Sequence, residues 1–333
     1  MPEPSDLLIV GAGPAGLAAA IAASRRGLSY VVLEKGALVN SLLHYPTDMV
    51  FFTTPELLEI GGFPFVSPYE KPTRQEALRY YRRVTDSARI DVRFDEPVTT
   101  ITRRPDGFVV TSHPVHGAPA TRTARAVVIA TGAYDLPNRL GVPGEDLPNV
   151  SHYYREPHAF YRRRVVIVGG KNSAAEAALD IFRNGGQVLM VHRREALGES
   201  IKYWVKPDIE NRIKEGSIRA LFSTHVVEIT PEHVFVDGPG GRLREPADAV
   251  LLLTGYRSDT TLLRQAGAAI DESIGAPVHH PDTYETTVPG LFVIGACIAG
   301  QQSGRIFIEN GRFHGEVVVR EIASRLQGQT ART

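Results

Sequence analysis

The chain has 333 residues, a formal net charge of +0 and a hydrophobic content of 43%. A chain of this length can bury two hydrophobic cores, so we expect two domains. The balanced charge gives no reason to expect binding to nucleic acid or to an anionic membrane surface. Neither a secretory signal nor a membrane-spanning run is evident, so we expect a soluble, cytoplasmic protein.

Cysteine usage limits the chemistry of the chain further. Cys297 is its one cysteine. A single thiol excludes an intrachain disulfide, a CxxC redox pair and a thiolate zinc site. We therefore expect no metal site, and we expect Cys297 to be a small buried residue without a redox role.

The first predicted elements are a strand, a glycine turn, a helix and a second strand in residues 7–34, LLIVGAGPAGLAAAIAASRRGLSYVVLE. Gly11 allows the tight turn, Gly13 lets a phosphate approach the backbone, and Gly16 lets the helix pack on the strand. Glu34 ends the second strand, where a carboxylate accepts hydrogen bonds from a ribose 2′-OH. The pattern predicts a dinucleotide site at the N-terminus of the helix.

The next part of the chain is predicted to contain a helix followed by strands. Thr73 and Glu76 have the spacing of a capping box, which predicts a helix that begins between them. Residues 92–130 contain alternating apolar stretches and a hairpin turn at Asp106 and Gly107. The irregular residues 35–67 precede this helix and directly follow the first ribose site, so they could cover the bound ligand; an ordinary packed insertion is the alternative.

Residues 165–192, VVIVGGKNSAAEAALDIFRNGGQVLMVH, repeat the first unit without a gap. The aligned pairs include Gly11 with Gly169, Gly13 with Lys171, and Glu34 with His192. Arg193 and Arg194 follow His192, and two guanidinium groups suit a 2′-phosphate, although a solvated strand end is the alternative. Lys171 interrupts the glycine pattern, and its ammonium group could meet the phosphate instead. The exchange of Glu34 for His192, followed by two arginines, predicts a site for NADPH in the second unit.

Two buried strands end in the same dipeptide, at Thr131-Gly132 and at Thr254-Gly255. Equivalent linkers at these points predict that the second domain is inserted in the first. We expect an α/β fold with two Rossmann-like, three-layer ββα dinucleotide-binding domains. Residues 1–136 and 257–333 form the first domain, and residues 137–256 form the second. The C-terminal part is predicted to end in a long helix that begins near Ser303.

The chain resembles the two-dinucleotide-binding flavoproteins of the low-molecular-weight thioredoxin reductase type. It is most similar to the YpdA-type bacillithiol-disulfide reductases, through nearly its whole length. The segments that carry the resemblance are residues 34–61, 71–82, 130–138, 142–158, 165–179 and 306–315, of which GGKNS and IENGRFHG are the most distinctive. Lys171 is therefore a family feature.

The resemblance implies FAD in the first unit and NADPH in the second. The implied FAD contacts are Gly11, Gly13, Pro14, Ala15, Gly16, Glu34, Lys35, Asn40, His44, Val98, Thr131, Gly132, Gly295 and Ala296. The implied NADPH contacts are Gly169, Lys171, Asn172, Ser173, His192, Arg193, Arg194 and Gly255. No catalytic residue is assigned.

The chain departs from the family patterns at three places. Thioredoxin reductases carry CxxC before the second glycine turn, whereas YYRE stands at residues 153–156 here. The acid of the flavoprotein GD pair is replaced by Ala296, as also tends to happen in the YpdA-type group. The cysteine that YpdA-type proteins carry in the first glycine turn is Ala15 here, which weakens the case for thiol chemistry at that position.

The resemblance implies an FAD-dependent NAD(P)H oxidoreductase that passes a hydride from NADPH to N5 of FAD and then reduces a low-molecular-weight thiol disulfide of the bacillithiol type. An alternative that explains the missing cysteine is electron transfer to ferredoxin, flavodoxin, a quinone or oxygen. A flavin-bound redox sensor is a further alternative. The expected partners are thus a small disulfide or a small redox carrier, and relatives of this type are usually homo-oligomers.

Overall fold

The structure, a computed structural model, describes residues 3–302 and 304–330. Its strands are β1 (Ser5–Val10), β2 (Tyr30–Leu33), β3 (Val92–Arg93), β4 (Val98–Arg104), β5 (Gly107–Ser112), β6 (Ala120–Ile129), β7 (Leu136–Pro137), β8 (Val150–Ser151), β9 (Arg164–Val168), β10 (Gln187–Val191), β11 (Arg219–Leu221), β12 (His225–Ile229), β13 (His233–Gly238), β14 (Gly241–Pro246), β15 (Ala249–Leu252), β16 (Tyr256–Arg257), β17 (Ile270–Asp271), β18 (Ala276–Pro277) and β19 (Leu291–Val293). Its α-helices are α1 (Pro14–Arg25), α2 (Asn40–Leu43), α3 (Pro55–Leu58), α4 (Arg74–Ser87), α5 (Asn172–Arg183), α6 (Lys206–Lys214), α7 (Thr261–Gln265), α8 (Ile308–Gly311) and α9 (His314–Thr330).

The chain divides into two compact units. The first unit ends at Leu136 and resumes at Tyr256, and the second consists of Pro137–Gly255 with the short segment Tyr45–Asp48. The sequence-based boundaries stood at residues 136/137 and 256/257. The second unit is therefore inserted in the chain of the first.

The first unit is built on a sheet with the strand order β3-β2-β1-β6-β5-β4, in which β19 also pairs with β6. The strands β2, β1, β6 and β19 run parallel, whereas β4, β5 and the first half of β6 form an antiparallel meander. Leu7, Leu8 and Ile9 of β1 are fully buried, as expected for a strand covered on both faces. This sheet places the ends of β1, β2 and β6 at one edge.

The second unit repeats this plan. Its parallel sheet has the order β11-β10-β9-β15-β8, and a separate antiparallel sheet has the order β12-β13-β14. The apolar face of α5, with Ala174, Ala178 and Ile181, is buried in a core with Val165 of β9 and Met190 of β10. The predicted α/β fold with two Rossmann-like units is confirmed.

Local predictions can be compared with the observed elements. The capping box at the start of α4 is confirmed, because Thr73 N donates to Glu76 Oε2 at 2.9 Å and Glu76 N donates to Thr73 Oγ1 at 3.2 Å. The hairpin turn between β4 and β5 is confirmed as well. Ser303 lies outside the described residues, and the helices that follow it begin later than expected, at Ile308 and at His314.

The delayed start of the C-terminal helices has a local cause. The Asn310 side chain accepts a hydrogen bond from Phe307 N at 2.8 Å, which fixes the chain in an extended conformation just before α8. Farther on, α9 packs against α1 so closely that a Cβ at Gly315 would lie 2.5 Å from Ala19 N. No helix within the described residues is both long and apolar enough to cross a membrane.

Candidate functional site

The first glycine turn connects β1 to α1 and leaves no room for side chains at two positions. Gly11 has φ +106°, and a Cβ there would lie 2.5 Å from the carbonyl oxygen of Ala130, the residue after β6. A Cβ at Gly16 would lie 2.0 Å from the carbonyl oxygen of Gly11. Both glycines are therefore required by the packing of the turn itself.

Gly13 differs from these two glycines, because packing within the described part of the chain does not require it. Its backbone, with φ −75° and ψ 177°, is one that any residue adopts, and a Cβ there would meet no atom of the described residues within 4 Å. Pro14 begins α1, and among the described residues no side chain caps the helix. The space in front of the helix N-terminus is thus open, next to N–H groups that attract an anion.

Glu34 links the end of β2 to the glycine turn. The residue is 5% exposed, its Oε2 accepts from Ala12 N at 2.8 Å, and its Oε1 accepts from Gly36 N at 3.0 Å. Burial raises the pKa of Glu34, and the two backbone N–H groups counteract this. Each oxygen keeps acceptor capacity for a further hydrogen bond, as ribose binding requires.

The two Thr-Gly pairs occupy equivalent places with different partners. A Cβ at Gly169 would lie 2.5 Å from the carbonyl oxygen of Leu253, just as one at Gly11 would contact Ala130. Thr254 follows Leu253, and its hydroxyl donates to the carbonyl oxygen of Asn138. Thr131 follows Ala130, and its buried Oγ1 has no hydrogen-bond partner in the part of the chain that the structure describes. A buried hydroxyl of this kind is expected to meet a ligand.

The remaining side chains expected around the first site lie on the segments that flank the turn. Lys35 Nζ forms an ion pair with Asp135 at 2.7 Å. Asn40 is the first residue of α2, and its carbonyl oxygen lies 2.8 Å from His44 Nδ1. Val98 begins β4, two residues after Glu96, whose N–H donates to the carbonyl oxygen of Glu34 at 2.9 Å. Gly132 adjoins α2, with its ideal Cβ 3.9 Å from Ser41 Oγ.

The turn after β19 completes this site. A Cβ at Gly295 would lie 2.9 Å from Ala15 Cβ, so the turn reaches the first turn of α1. Ala296 follows and is half-buried. Gly295 N donates to His314 Nδ1 at 3.2 Å, and the ring of His314 stacks on Tyr284 with centroids 4.2 Å apart. Burial, with a contribution from His279, lowers the pKa of His314 to about 4, so this histidine is neutral near pH 7.

Cys297 lies in the same turn and is inert. It is fully buried, and its Sγ donates to the carbonyl oxygen of Ile294 at 2.9 Å. Burial raises the pKa of the Cys297 thiol to about 12. The thiol is therefore protonated at neutral pH, as expected for a structural cysteine.

The second glycine turn keeps the geometry of the first with different side chains. Lys171 stands before α5 and is exposed, and no side chain caps this helix within the described ranges. Gly170, which was not singled out from the sequence, lies against His192, since a Cβ at Gly170 would be 2.5 Å from the imidazole ring. Burial and the neighbouring Arg194 and Arg193 lower the pKa of His192. A neutral ring thus occupies the place that the Glu34 carboxylate has in the first unit.

Arg193 and Arg194 follow β10 and are exposed. Across residues 3–302 and 304–330, neither guanidinium forms an ion pair with a carboxylate. Ser223 N donates to the carbonyl oxygen of Arg194 at 2.9 Å, which fixes the backbone beside β11. The two cations are therefore available to a phosphate at the end of β10.

Three further residues expected at the second site have distinct environments. Asn172 uses its amide within the chain, because Nδ2 donates to Ser200 O at 2.9 Å and Oδ1 accepts from Lys202 N at 2.8 Å. Ser173 is exposed in the first turn of α5. Gly255 has φ +90° and accepts from Asn138 N at 2.9 Å. Asn172 thus positions a neighbouring loop, a role that its place in the motif did not indicate.

Both turns fit a dinucleotide. Within the residues that the structure describes, the first fit rests on the open space at Gly13, the uncapped start of α1, the buried Glu34 and the hydroxyl of Thr131, which has no partner there. By the same measure, the second fit rests on the uncapped start of α5 and the exposed arginines. His314 could not be recognised from the sequence beyond its place in IENGRFHG, because its role depends on a contact with Gly295, 19 positions away.

Comparison with known proteins identifies the family of the chain. A model of the family described as pyridine nucleotide-disulphide oxidoreductase matches residues 8–295. The bacilliredoxin reductase Bdr of Bacillus subtilis (strain 168) is 41% identical over 319 residues, which cover 96% of this chain and 97% of the relative.

Two solved structures are similar over nearly their full length. The bacillithiol disulfide reductase Bdr (YpdA) from Bacillus cereus has a TM-score of 0.95 and 39% identity, with 97% of this chain and 100% of that chain covered. The protein of the same name from Staphylococcus aureus has a TM-score of 0.91 and 34% identity, with 97% and 99% covered.

Proposed function

The chain belongs to the pyridine nucleotide-disulphide oxidoreductase family, and from that premise we propose that it uses NADPH to reduce a low-molecular-weight disulfide of the bacillithiol type. Membership makes it an FAD-dependent oxidoreductase that works with a pyridine nucleotide. The choice of NADPH, the site residues and the disulfide substrate are proposals. The choice of a bacillithiol-type disulfide as substrate is supported by the two similar structures, which are named bacillithiol disulfide reductases.

The observation that carries the choice of coenzyme is the difference between the ends of β2 and β10. A buried carboxylate, Glu34, suits a ribose with a free 2′-OH and repels a phosphate. At the equivalent place His192 is followed by Arg193 and Arg194, both exposed and without an ion pair among the described residues. This difference supports FAD in the first unit and NADPH in the second.

The residues of the first unit would hold FAD by several contacts. The N–H groups at the start of α1 would bind the pyrophosphate, and Glu34 would bind the adenosine ribose. The buried hydroxyl of Thr131 would form a hydrogen bond with the cofactor, and His314 would hold the backbone at Gly295 in place. When bound, flavin and nicotinamide supply reversible transfer of an electron pair, and the protein supplies binding and orientation.

The substrate would be reduced without a protein thiolate. Disulfide exchange requires a thiolate, but the chain has one cysteine, which is buried and has a pKa of about 12. Ala15 offers no thiol in the first glycine turn. The disulfide would therefore receive its electrons directly from the flavin.

A panel of electron acceptors tests the proposal. The flavin-loaded protein is supplied with NADPH or NADH and with bacillithiol disulfide, ferredoxin, flavodoxin, a quinone or oxygen. We expect bacillithiol disulfide to give the highest kcat/KM with NADPH. A protein that purifies without flavin, or that turns over only ferredoxin, flavodoxin or a quinone, would refute the assigned reaction.

A variant tests the coenzyme separately. Replacing both Arg193 and Arg194 by alanine removes two charge-assisted hydrogen bonds worth about 1.5–3 kcal/mol each, so the KM for NADPH should rise at least about 100-fold. The KM for NADH should change little. Equal changes for both coenzymes would contradict the role of the arginines.

Assembly into a homo-oligomer stays a prediction, which light scattering on the purified protein measures.

A further inference from the structure

Residues 198–204, GESIKYW, form a loop that returns to the second glycine turn. Gly198 N donates to the carbonyl oxygen of Gly170 at 2.7 Å. In the first unit Val39 N donates to the carbonyl oxygen of Ala12 at 3.1 Å, which is the same connection. Both repeats therefore fold the segment after their second strand back over the glycine turn, and the 198–204 loop borders the second dinucleotide site.

The loop is held across the first turn of α5. Asn172 binds it at two points, through Ser200 O at 2.9 Å and Lys202 N at 2.8 Å. Lys202 Nζ also forms an ion pair with Glu176 at 2.7 Å, and the Lys202 side chain is only 10% exposed. An ion pair shielded in this way and two hydrogen bonds to one amide fix the loop in place.

The loop ends in two aromatic side chains that face solvent. Tyr203 is 72% exposed and Trp204 is 37% exposed, and their rings meet edge to face with centroids 4.8 Å apart. The ammonium group of Lys202 lies 5.7 Å from the centre of the Trp204 ring. A rigidly held pair of large aromatic rings is suited to stacking on a flat heteroaromatic ring.

We propose that Tyr203 and Trp204 form the surface on which the nicotinamide half of the coenzyme stacks. This inference rests on the proposed function, which assigns NADPH to the second unit. Arg193 and Arg194 account for the adenosine 2′-phosphate, and the start of α5 accounts for the pyrophosphate. The loop is fastened to that helix start through Asn172, so the aromatic pair borders the pyrophosphate site, and the proposal assigns it the nicotinamide, the one flat ring that Arg193 and Arg194 do not already hold.

Fluorescence tests this placement, because Trp204 is the one tryptophan of the chain. The flavin-loaded protein is titrated with NADP⁺, which cannot reduce the flavin, and with 2′,5′-ADP, which is the adenosine half alone. We expect NADP⁺ to quench Trp204 emission with the Kd found by calorimetry. We expect 2′,5′-ADP to bind without quenching. Calorimetric binding of NADP⁺ that leaves the emission unchanged would overturn the placement.

Variants separate a contact with nicotinamide from a general effect on the fold. Tyr203→Ala should raise the Kd for NADP⁺ about tenfold, as loss of one stacking partner does, and change that for 2′,5′-ADP less than about twofold. Asn172→Ala should likewise raise the Kd for NADP⁺ more than the Kd for 2′,5′-ADP, because this change releases the loop. Tyr161→Ala is the matched control, an exposed tyrosine of the same unit at 55%, and should change neither.

Two outcomes distinguish the inference from its premise. If Tyr203→Ala leaves the NADP⁺ affinity unchanged, or weakens both ligands equally, the stacking role is wrong and the assigned coenzyme stands. If the wild-type protein binds neither NADP⁺ nor 2′,5′-ADP, the NADPH assignment itself is wrong and the inference fails with it.

Discussion

At the residue scale, the ends of β2 and β10 show how one exchange alters a binding site. Glu34 accepts from Ala12 N at 2.8 Å, whereas the ring of His192 lies against Gly170, at the position equivalent to Ala12. The carboxylate therefore holds one turn through a hydrogen bond and would repel a phosphate, whereas the imidazole packs on the other turn without adding negative charge.

His192→Glu should convert the second site to the pattern of the first. The new carboxylate can accept from Gly170 N and would face a 2′-phosphate, and such like-charge contacts cost several kcal/mol. We expect the ratio of kcat/KM for NADPH to that for NADH to fall by at least about 100-fold. His192→Gln, which is of similar size and uncharged, is the control. An unchanged ratio in His192→Glu would show that the 2′-phosphate lies elsewhere.

His314 predicts a pH dependence of stability. Its pKa of about 4 in the folded protein lies below its usual value of 6.5, so the unfolded chain takes up this proton first as the pH falls. Stability should be full above pH ~6.5 and decrease towards pH ~4, by on the order of 3 kcal/mol from this group. Urea unfolding of wild type and His314→Asn at pH 7 and at pH ~4.5 measures the difference. Parallel losses in the two proteins would contradict the assignment.

At the element scale, the glycine turn was predictable and its surroundings were not. The spacing of Gly11, Gly13 and Gly16 follows from local geometry, so the sequence alone shows it. His314 reaches Gly295 only because α9 packs on α1, and Asn172 reaches Ser200 only after the chain has folded back. Contacts of this kind have no periodicity or spacing in the sequence that could predict them.

Two substitutions in this turn should separate folding from binding. Gly16→Ala places a methyl group 2.0 Å from the Gly11 carbonyl oxygen, so we expect a loss of several kcal/mol or failure to fold. In Gly13→Ala the new methyl group meets no atom of the described residues within 4 Å, so the protein without flavin should keep its Tm. Its affinity for FAD should fall at least about tenfold, because the methyl group enters the space before the helix N-terminus.

The measurements for this pair are the Tm of the flavin-free protein and the flavin bound per chain. Gly240→Ala is the control, because a Cβ there also meets no described atom within 4 Å and the residue lies far along the chain, between β13 and β14. Unchanged FAD affinity in Gly13→Ala would contradict a pyrophosphate at this turn.

At the scale of the whole molecule, the chain builds two similar units that carry different side chains at equivalent positions. The Thr254 hydroxyl donates a hydrogen bond to the carbonyl oxygen of Asn138, whereas the equivalent hydroxyl of Thr131 is buried and has no partner among the described residues. The duplication of residues 7–34 in residues 165–192 was visible in the sequence and led to the two-unit fold. The exchange of Glu34 for His192 already predicted different ligands for the two units, and the hydrogen bonds of Thr131 and Thr254 add a difference that the sequence did not show.

The whole chain also limits how a disulfide can be reduced, since Cys297 is its one thiol. This thiol is fully buried and bonded to Ile294 O, so Cys297→Ala should fold, bind flavin and keep disulfide reductase activity within about twofold. Ala15→Cys is the complementary variant, because it places a thiol in the turn that Gly295 contacts. Direct reduction by the flavin predicts no gain in kcat from this thiol. A folded, flavin-loaded Cys297→Ala protein without activity, or a large gain in Ala15→Cys, would show that the reaction proceeds through a thiolate.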